Sequence, residues 1–493
     1  MPRLIDLLSV LPSPSGRGWR EASGEGIGLE QEITGITADS RAVRPGFVFV
    51  ALEGEKVDGH EFISQAIQNG ALAVIADKKR VLAEDTRVIP AANTRRAFAQ
   101  LAAAFYPRQP EHVVAVTGTD GKTSTADFYR QFWYLMGARS AAIGTLGITG
   151  GDGRLLSEGT HTTPDPMTLH QQLSSLPADY VCMEASSHGI HQSRLDGVRL
   201  EAAAFTYIGR DHLDYHKTED NYFLAKARLF DTLLGEGKTA VINQDDKRYS
   251  ELHARCLARR HRIIGFGRGG SDFRIHSLEL LPHGQRAQLE LFGKHYTVEV
   301  PLVGAFQTMN ILAALGLVVG SGGDIQRAVS VIPRLAGVPG RLEKVADLDC
   351  GAVVYIDYAH TPMALANILH TLRPHTPGLL HVVFGCGGDR DAGKRPEMGR
   401  IAAELADRVI VTDDNPRSEN PATIRSQIMA ASSGAKEVAD RREAIYVALG
   451  ELRAGDVLVI AGKGHEKTQT IAGKVLPFDD AEVARAGVRE LKL

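Results

Sequence analysis

The sequence predicts an α/β protein of three domains: a small N-terminal α/β domain over residues 1–109, a central domain built on a mostly parallel sheet over 110–335, and a C-terminal Rossmann-like domain over 336–493. Three observations carry this. Apolar runs alternate with segments of helical period, the pattern of a parallel sheet covered on both faces. The composition breaks twice, at Tyr106-Pro-Arg-Gln-Pro110 and at Pro333-Arg-Leu-Ala-Gly-Val-Pro-Gly340. The 493 residues also agree with three domains at about 150 residues each.

In the first domain, residues 12–30 are rich in Pro, Ser and Gly and read as a loop. Strands are expected at Phe47–Ala51 and Ala71–Ile75, with helices near Glu61–Asn69 and Arg95–Phe105. The central domain opens on the apolar run Val113 to Val116, continues through strands at Tyr180–Met183, Ala202–Tyr207, Ala240–Asn243 and Arg262–Phe266, and carries an antiparallel hairpin where Gln285–Val300 alternates around Phe292-Gly293-Lys294. Gly304 to Val319 reads as a long apolar helix. The last domain has strands at Val353–Asp357, Leu380–Gly385, Arg408–Thr412 and Asp456–Ala461, and the Pro-Gly segment at Gly337–Gly340 is the expected hinge before it.

Composition excludes several functions. With 43% hydrophobic and 23% charged residues each domain can bury a core, and a formal net charge of -3 offers no basic field for nucleic acid. The apolar run Leu4 to Leu11 is interrupted by Asp6, so neither a membrane span nor a signal peptide is expected. The four cysteines, Cys182, Cys256, Cys350 and Cys386, have no metal-like spacing and are expected as reduced thiols. A soluble cytoplasmic enzyme, binding small molecules and monomeric, is the expectation.

The chemistry concentrates where strands end. After Val116 comes Thr117-Gly-Thr-Asp-Gly-Lys-Thr123, followed by Phe128, Phe132 and Leu135 at helical spacing and Gly137 as a stop. A strand, a glycine turn and a helix opening on Lys-Thr form a phosphate cradle: backbone N–H groups face phosphate oxygens, Lys122 adds charge and Thr123 can hold Mg2+. Position 116 is Val, where the usual P-loop spacing has its first Gly. Glu184 in Met183-Glu-Ala-Ser-Ser-His-Gly189 ends a strand at the edge where ligands gather in open α/β sheets, placing it to reach that Mg2+. Asp211 and His212, in Arg210-Asp-His-Leu-Asp-Tyr-His216, suit a hard cation less securely, since Mg2+ prefers oxygen. In Tyr222-Phe-Leu-Ala-Lys-Ala-Arg-Leu-Phe230, Lys226 lies on the flank opposite Phe223, Ala227 and Phe230, and spacing alone makes it a solvated lysine. In the last domain Arg390, Lys394, Arg395 and Arg417 would bring cations to one rim, where arginine forks suit a carboxylate, while Asp414 and Glu466 could receive an ammonium. Both signs on one rim suit an amino acid.

These motifs together resemble the ATP-dependent Mur ligases of peptidoglycan synthesis. The likeness spans Asp39-Ser-Arg41, Asp58-Gly-His60, Gly118 to Thr123, Thr162-Thr-Pro164, Glu184 to His188, Asp211 to Asp214, Ala225-Lys226, Asn310 and the C-terminal set Gly340-Arg-Leu-Glu343, Asp357 to Pro362, Gly385 to Pro396, Asp414-Asn-Pro-Arg417 and Gly462 to Glu466. The resemblance implies an amide ligase adding meso-diaminopimelate to the D-glutamate carboxylate of UDP-N-acetylmuramoyl-L-alanyl-D-glutamate. It implies that Ser40, Arg41 and His60 hold the UDP end, and Thr162, Thr163, Ser186, Gln192 and Arg194 the muramoyl-peptide. Gly118, Thr119, Asp120, Gly121, Lys122, Thr123, Ser124, Asn310, Arg341 and Asp357 would serve ATP. Thr123, Glu184, His212 and Lys226, the last as a CO2-derived carbamate, would hold Mg2+, with Lys122, Lys226, Glu184 and His212 catalytic. Arg390, Asp414, Asn415, Arg417, Gly462 and Glu466 would read diaminopimelate. Three positions depart from the family pattern: Asp120, His161 and Gln307 each stand where asparagine is common.

Two alternatives stay open from the residues. One is another amide ligase of this superfamily, lysine-adding or folate-linked, against which Arg417 and Asp39-Ser-Arg41 respectively argue. The other is a catalytically silent nucleotide-binding regulator, which would have no need of Lys226 and Glu184 beside Lys122-Thr123.

Overall fold

A computed structural model describes residues 1–11, 28–54, 57–80, 87–159, 161–209, 211–281 and 284–492. Residues 12–27 of the expected N-terminal loop, and Arg210, lie outside the described residues. The chain forms two compact units, Met1–Ser271 with Leu312–Ala328, and Asp272–Ile311 with Val329–Leu493.

The first unit begins with a four-stranded parallel sheet, Gly35–Thr37, Phe47–Val50, Ala73–Asp77 and Val88–Ala91, in that order. Asn93 caps the helix Thr94–Phe105 by accepting from the Arg96 N–H, so the helix starts one residue before the apolar period suggested. Its Ala97, Phe98 and Leu101 bury against Leu4, Leu7 and Leu8. The segment expected as one helix near Glu61–Asn69 splits into a 3-10 turn, Gly59–Phe62, and a helix, Ile63–Gln68.

The larger sheet of this unit runs Arg262–Gly267, Leu234–Asn243, Leu200–Phe205, His112–Thr117, Tyr180–Glu184, Ser140–Gly144, Gly147–Gly150 and Leu155–Ser157. The first six strands are parallel; the last two fold back antiparallel, an extension the glycine-rich Gly144–Gly151 stretch hides from any reading by period. Val113 to Val116 are fully buried at the sheet centre, which is why that strand reads as an unbroken apolar run. The register sets the site: Val116 lies opposite Glu184 and Thr117 opposite Phe205, so three strands deliver their C-terminal ends to one level.

The second unit contains the expected hairpin, Gly284–Leu291 with Lys294–Val300, joined through Phe292 and Gly293, both at positive φ. Phe273–Leu281 adds a third antiparallel strand. A six-stranded sheet follows, in the order Glu343–Asp347, Val353–Asp357, Val457–Ala461, Leu380–Phe384, Arg408–Val411 and Lys436–Glu437, parallel except at its first strand. Apolar clusters fill both of its faces, around Leu369, Met398 and Ile428 on one and Ile445, Leu449 and Ala484 on the other. The long apolar helix is Ala305–Gly320, displaced one residue from its expected span. All four cysteines are free thiols, Cys350 exposed and the others buried.

Candidate active site

The loop after strand His112–Thr117 closes onto helix Lys122–Leu135 through two glycines at positive φ, Gly118 at 152° and Gly121 at 84°. A Cβ on Gly118 would sit 1.9 Å from Thr206 Oγ1, so no side chain fits there. Thr206 fastens the loop from the neighbouring strand end, donating from Oγ1 to the Asp120 carbonyl at 2.6 Å. Thr119 is held by the Gly209 N–H at 2.9 Å and lies 3.2 Å from the Tyr222 hydroxyl. Lys122 folds back, donating to the carbonyls of Gly118 at 2.9 Å and Thr119 at 2.7 Å. The helix N-terminus is thus presented with its first N–H groups and dipole toward an anion.

Glu184, only 2% exposed, accepts from Thr123 Oγ1 at 3.0 Å, from the Thr145 N–H at 2.8 Å and from Thr145 Oγ1 at 3.2 Å. Thr145 was not legible as a site residue. Its role comes from the turn after Ser140–Gly144, where Gly144 is required because a Cβ would meet Glu184 Oε1 at 2.0 Å. Thr145 Oγ1 also lies 3.1 Å from Thr162 Oγ1. Thr163 donates to the Glu184 carbonyl at 2.8 Å and accepts from the Ser186 N–H at 3.0 Å. Arg194 donates to the Thr163 carbonyl at 2.7 Å and to Gln192 Oε1 at 2.8 Å. Of the five residues expected to hold the muramoyl-peptide, Ser186 and Arg194 therefore bond to Thr163 directly and Gln192 joins through Arg194.

Lys226 corrects the reading drawn from spacing. It is 1% exposed rather than solvated, on helix Glu219–Arg228, and donates from Nζ to the Gly118 carbonyl at 2.7 Å. Its amine lies 4.5 Å from the Tyr222 ring centre. Lys122 and Lys226 therefore share one carbonyl. Burial first, then the Lys122 charge, hold the Lys226 amine well below the ordinary lysine range despite the opposing pull of Asp211 and Asp120. The shift favours the uncharged amine over the ammonium. His212 lies at the open side of this cluster in a left-handed conformation, φ 52°, with its Nε2 3.4 Å from Asp211 and its ring 4.8 Å from that of His188. Behind it His216 is buried, and burial followed by the neighbouring histidines pulls its pKa down to about 4.

Asp120 is exposed at the loop tip, and among the described residues no hydrogen bond to its carboxylate is found. Its charge is free to meet a ligand or a hydrated cation. Asp120→Asn is expected to change the Mg2+ concentration giving half-maximal turnover by several-fold while leaving the loop bonds intact, as measured by Mg2+ titration at saturating ATP. Unaltered dependence would place this side chain outside the site.

A cavity of about 490 Å³ lies beside this edge, lined among others by Thr37, Asp39, Arg95, His161, Gln192 and Arg194. Arg41 pairs with Asp39 at 2.7 Å on the surface, and Ser40 is buried against Gln65 at 3.4 Å. Both ring nitrogens of His60 are engaged, Nδ1 with Asp58 at 2.7 Å and Nε2 by the Asp77 N–H at 3.0 Å, so this histidine holds its own turn together.

In the second unit Asp414, Asn415, Arg417, Gly462 and Glu466 come together at the C-terminal edge of the sheet. Asn415 donates to Glu466 at 2.9 Å and accepts from the Thr470 N–H at 2.9 Å. Gln469 donates to the Asp414 carbonyl at 2.7 Å, and a Cβ on Gly462 would approach Asp414 Oδ2 to 2.7 Å. Arg417, at φ 52°, is pinned by its N–H to Thr470 and donates from Nη1 to the Gly388 carbonyl at 2.8 Å. Arg390 is exposed on the loop between strand Leu380–Phe384 and helix Lys394–Leu405. Arg395 is not one of the rim cations: it is 1% exposed and grips Glu419 at 2.8 and 2.9 Å, a bidentate pair that fixes the loop. Lys394 donates to the His360 carbonyl at 2.8 Å.

Asp357 accepts from the Leu342 N–H at 2.7 Å, and Arg341 lies 4.9 Å from the Tyr358 ring. Burial raises the Asp357 pKa to about 6, only partly offset by Arg341. A raised carboxyl pKa contributes stability that is complete below about pH 3.8 and is lost as pH rises through 6. Asp357→Asn is accordingly expected to flatten the fall in denaturation midpoint between pH 4 and 6; an unchanged slope would assign that fall to other groups.

Three domain profiles match this chain: the Mur ligase family catalytic domain over residues 32–106, the Mur ligase middle domain over 116–318, and the Mur ligase glutamate ligase domain over 340–464. The chain belongs to the Mur ligase family. A UDP-N-acetylmuramoyl-L-alanyl-D-glutamate–2,6-diaminopimelate ligase of Mesorhizobium japonicum is 50% identical over 492 residues, covering 99% of both chains. The enzyme of the same name from Caulobacter vibrioides is 45% identical, covering 92% of this chain and 95% of its own. A solved structure bearing that name has a TM-score of 0.72 at 34% identity, over 95% of this chain and 97% of the other. A folylpolyglutamate synthase of Mycobacterium tuberculosis shares the fold alone, with a TM-score of 0.60 at 20% identity over 75% of this chain and 92% of the other.

For a Mur ligase, the donor set can be tested against its expected ligands. Thr123 Oγ1 and the buried Glu184 carboxylate offer oxygen atoms 3.0 Å apart, which suits Mg2+. The glycine loop and helix start offer phosphate N–H groups, and the lowered pKa of Lys226 favours the uncharged amine that CO2 addition requires. The residues present fit all three. Among the described residues no helix is long and apolar enough to cross a membrane.

Proposed function

We propose that this chain is an ATP-dependent, ADP-forming ligase that joins meso-diaminopimelate to the D-glutamate carboxylate of UDP-N-acetylmuramoyl-L-alanyl-D-glutamate in cytoplasmic peptidoglycan synthesis. The observation that carries it is 50% identity over 99% of both chains to an enzyme of that name. The buried set of Glu184, Thr123 and Lys226 beneath the loop supports the reading. We assign domains at 1–109, 110–335 and 336–493, acting as a monomer.

The chemistry follows from charge. A carboxylate is a poor acyl donor, so the γ-phosphoryl group of ATP first converts it to an acyl phosphate. Gly118 to Ser124 orient the phosphates through backbone N–H groups, and Lys122, released from the Gly118 and Thr119 carbonyls, neutralises charge on the transferring group. Thr123, Glu184, His212 and Lys226 as its carbamate would hold Mg2+, which when bound would supply Lewis-acid neutralisation of phosphate oxygens. Asn310, Arg341 and Asp357 contact the nucleotide. Thr162, Thr163, Ser186, Gln192 and Arg194 hold the peptide arm, with Ser40 and Arg41 at the UDP end and His60 shaping the turn behind them. Arg390, Asp414, Asn415, Arg417, Gly462 and Glu466 hold diaminopimelate, whose neutral amine attacks the acyl carbon and expels phosphate.

The test is direct. Purified protein is given ATP, Mg2+ and the UDP-muramoyl-dipeptide, with meso-diaminopimelate or L-lysine offered in turn while phosphate release is followed. Release dependent on meso-diaminopimelate is expected; release driven equally by L-lysine, or none with either, defeats the assignment.

A further inference from the structure

We propose that His276, Glu290 and His295 form a binding site for a divalent cation of the zinc class, on the exposed face of the three-stranded sheet Phe273–Leu281, Gly284–Leu291 and Lys294–Val300. Each strand contributes one ligand. Alternation sends Phe273, Ile275, Leu289, Leu291, Val298 and Val300 into the core, and so turns positions 276, 290 and 295 to the opposite face. Glu290 lies directly opposite His295 in the register, and the irregularity between Ile275 and Ser277 sets His276 beside the pair.

The three ligand atoms all lie within 4.8 Å of one another. His276 Nε2 is 2.8 Å from Glu290 Oε2, and the two imidazole rings are 5.5 Å apart with a 37° tilt. Tetrahedral zinc with bonds of about 2.1 Å places its ligand atoms about 3.4 Å apart. The observed ligand spacings, 2.8 Å for one pair and all within 4.8 Å, bracket that value. Two imidazoles and one carboxylate suit zinc, nickel or copper rather than Mg2+, whose preference is for oxygen. Three protein ligands also leave a coordination position open to water or a small anion.

The arrangement asks for more than a surface ion pair. His276 and Glu290 alone would make such a pair, worth little in water, and would have no use for His295 on the third strand. Nearby charge is largely balanced, since Arg286 on this face is engaged by Glu279 at 2.9 Å and Glu299 at 3.1 Å. Arg274, opposite Glu290, opposes cation binding and tempers its affinity. A bound ion would cross-link all three strands and stabilise the folded state by mass action. None of the three residues belongs to the machinery placed around Lys122 or Arg417.

The experiment uses the full chain, stripped of metal by a chelator and dialysed against zinc in the presence of excess Mg2+. Wild type is expected to hold one more zinc per chain than the double variant His276→Ala/His295→Ala, and Glu290→Gln to bind that ion more weakly. Ligation without zinc should be equal in all three, which also reports that the variants fold. With cobalt as probe, wild type is expected to show intense visible absorption of a four-coordinate site that the double variant lacks. Equal zinc content in wild type and double variant, or a cobalt spectrum that the double substitution leaves unchanged, overturns the proposal.

Discussion

Lys226→Ala is expected to lower ligation by about 10²- to 10³-fold, the scale on which a preorganised electrostatic group is lost from an active site. The lysine is 1% exposed and donates to the same Gly118 carbonyl as Lys122. Burial, then the Lys122 ammonium on the same carbonyl, disfavour a second positive charge and keep the Lys226 amine well below the usual lysine range. Such an amine can add CO2 and become an anion, which reverses its effect on a neighbouring cation. Two measurements separate this role from a purely structural one. If Lys226 only braces Gly118, alanine should raise the KM for ATP with little loss of kcat. If it becomes a carbamate, kcat falls with KM little changed, and wild-type turnover drops in CO2-depleted buffer and returns with bicarbonate. Lys226→Ala with both kcat and the KM for ATP unchanged would falsify both.

Arg417→Ala is expected to cost about 1.5–3 kcal/mol in kcat/KM for meso-diaminopimelate, the range for a hydrogen bond to a charged group. Diaminopimelate differs from lysine by one further carboxylate, and an arginine fork is the side chain whose geometry matches it. Arg417 is held for such a task. Its backbone is in the left-handed region at φ 52°, kept there by the bond from its N–H to Thr470 and by the Ala472 N–H to its carbonyl, while Nη1 rests on the Gly388 carbonyl at 2.8 Å. Steady-state kinetics with both amino acids decide the matter: the preference for diaminopimelate over L-lysine should narrow by roughly 10- to 150-fold, the same free energy expressed as a ratio. A uniform loss with both substrates, leaving selectivity unchanged, would instead make Arg417 a brace for its loop.

Much of this protein was readable because its signals are local. Buried parallel strands announce themselves as apolar runs, and Gly118, Gly121 and Lys122-Thr123 are a contiguous device whose residue types are demanded by backbone conformation and phosphate charge. The strand ends also brought Glu184 to the loop without any structure, because ligand-bearing edges follow from parallel topology. Periodicity is uninformative in Gly144–Gly151, where half the residues are glycine, and Thr145 lies in that stretch. Arg395 and Lys226 failed for a second reason. A helical period says which positions share a face, but a long side chain on the polar flank can be buried whenever another element supplies a carboxylate or a carbonyl to meet its head group.

By itself, then, the sequence determined the α/β architecture, the glycine loop that opens on Lys122-Thr123 and the Asp414-Asn-Pro-Arg417 motif, since each is a short-range demand of backbone geometry or charge. Only the tertiary structure decided which cations are available to ligands. Arg395 is spent on Glu419 and Lys226 is buried on Gly118, because desolvation and pairing depend on residues tens to more than a hundred positions away in the chain, 24 and 108 in these two cases.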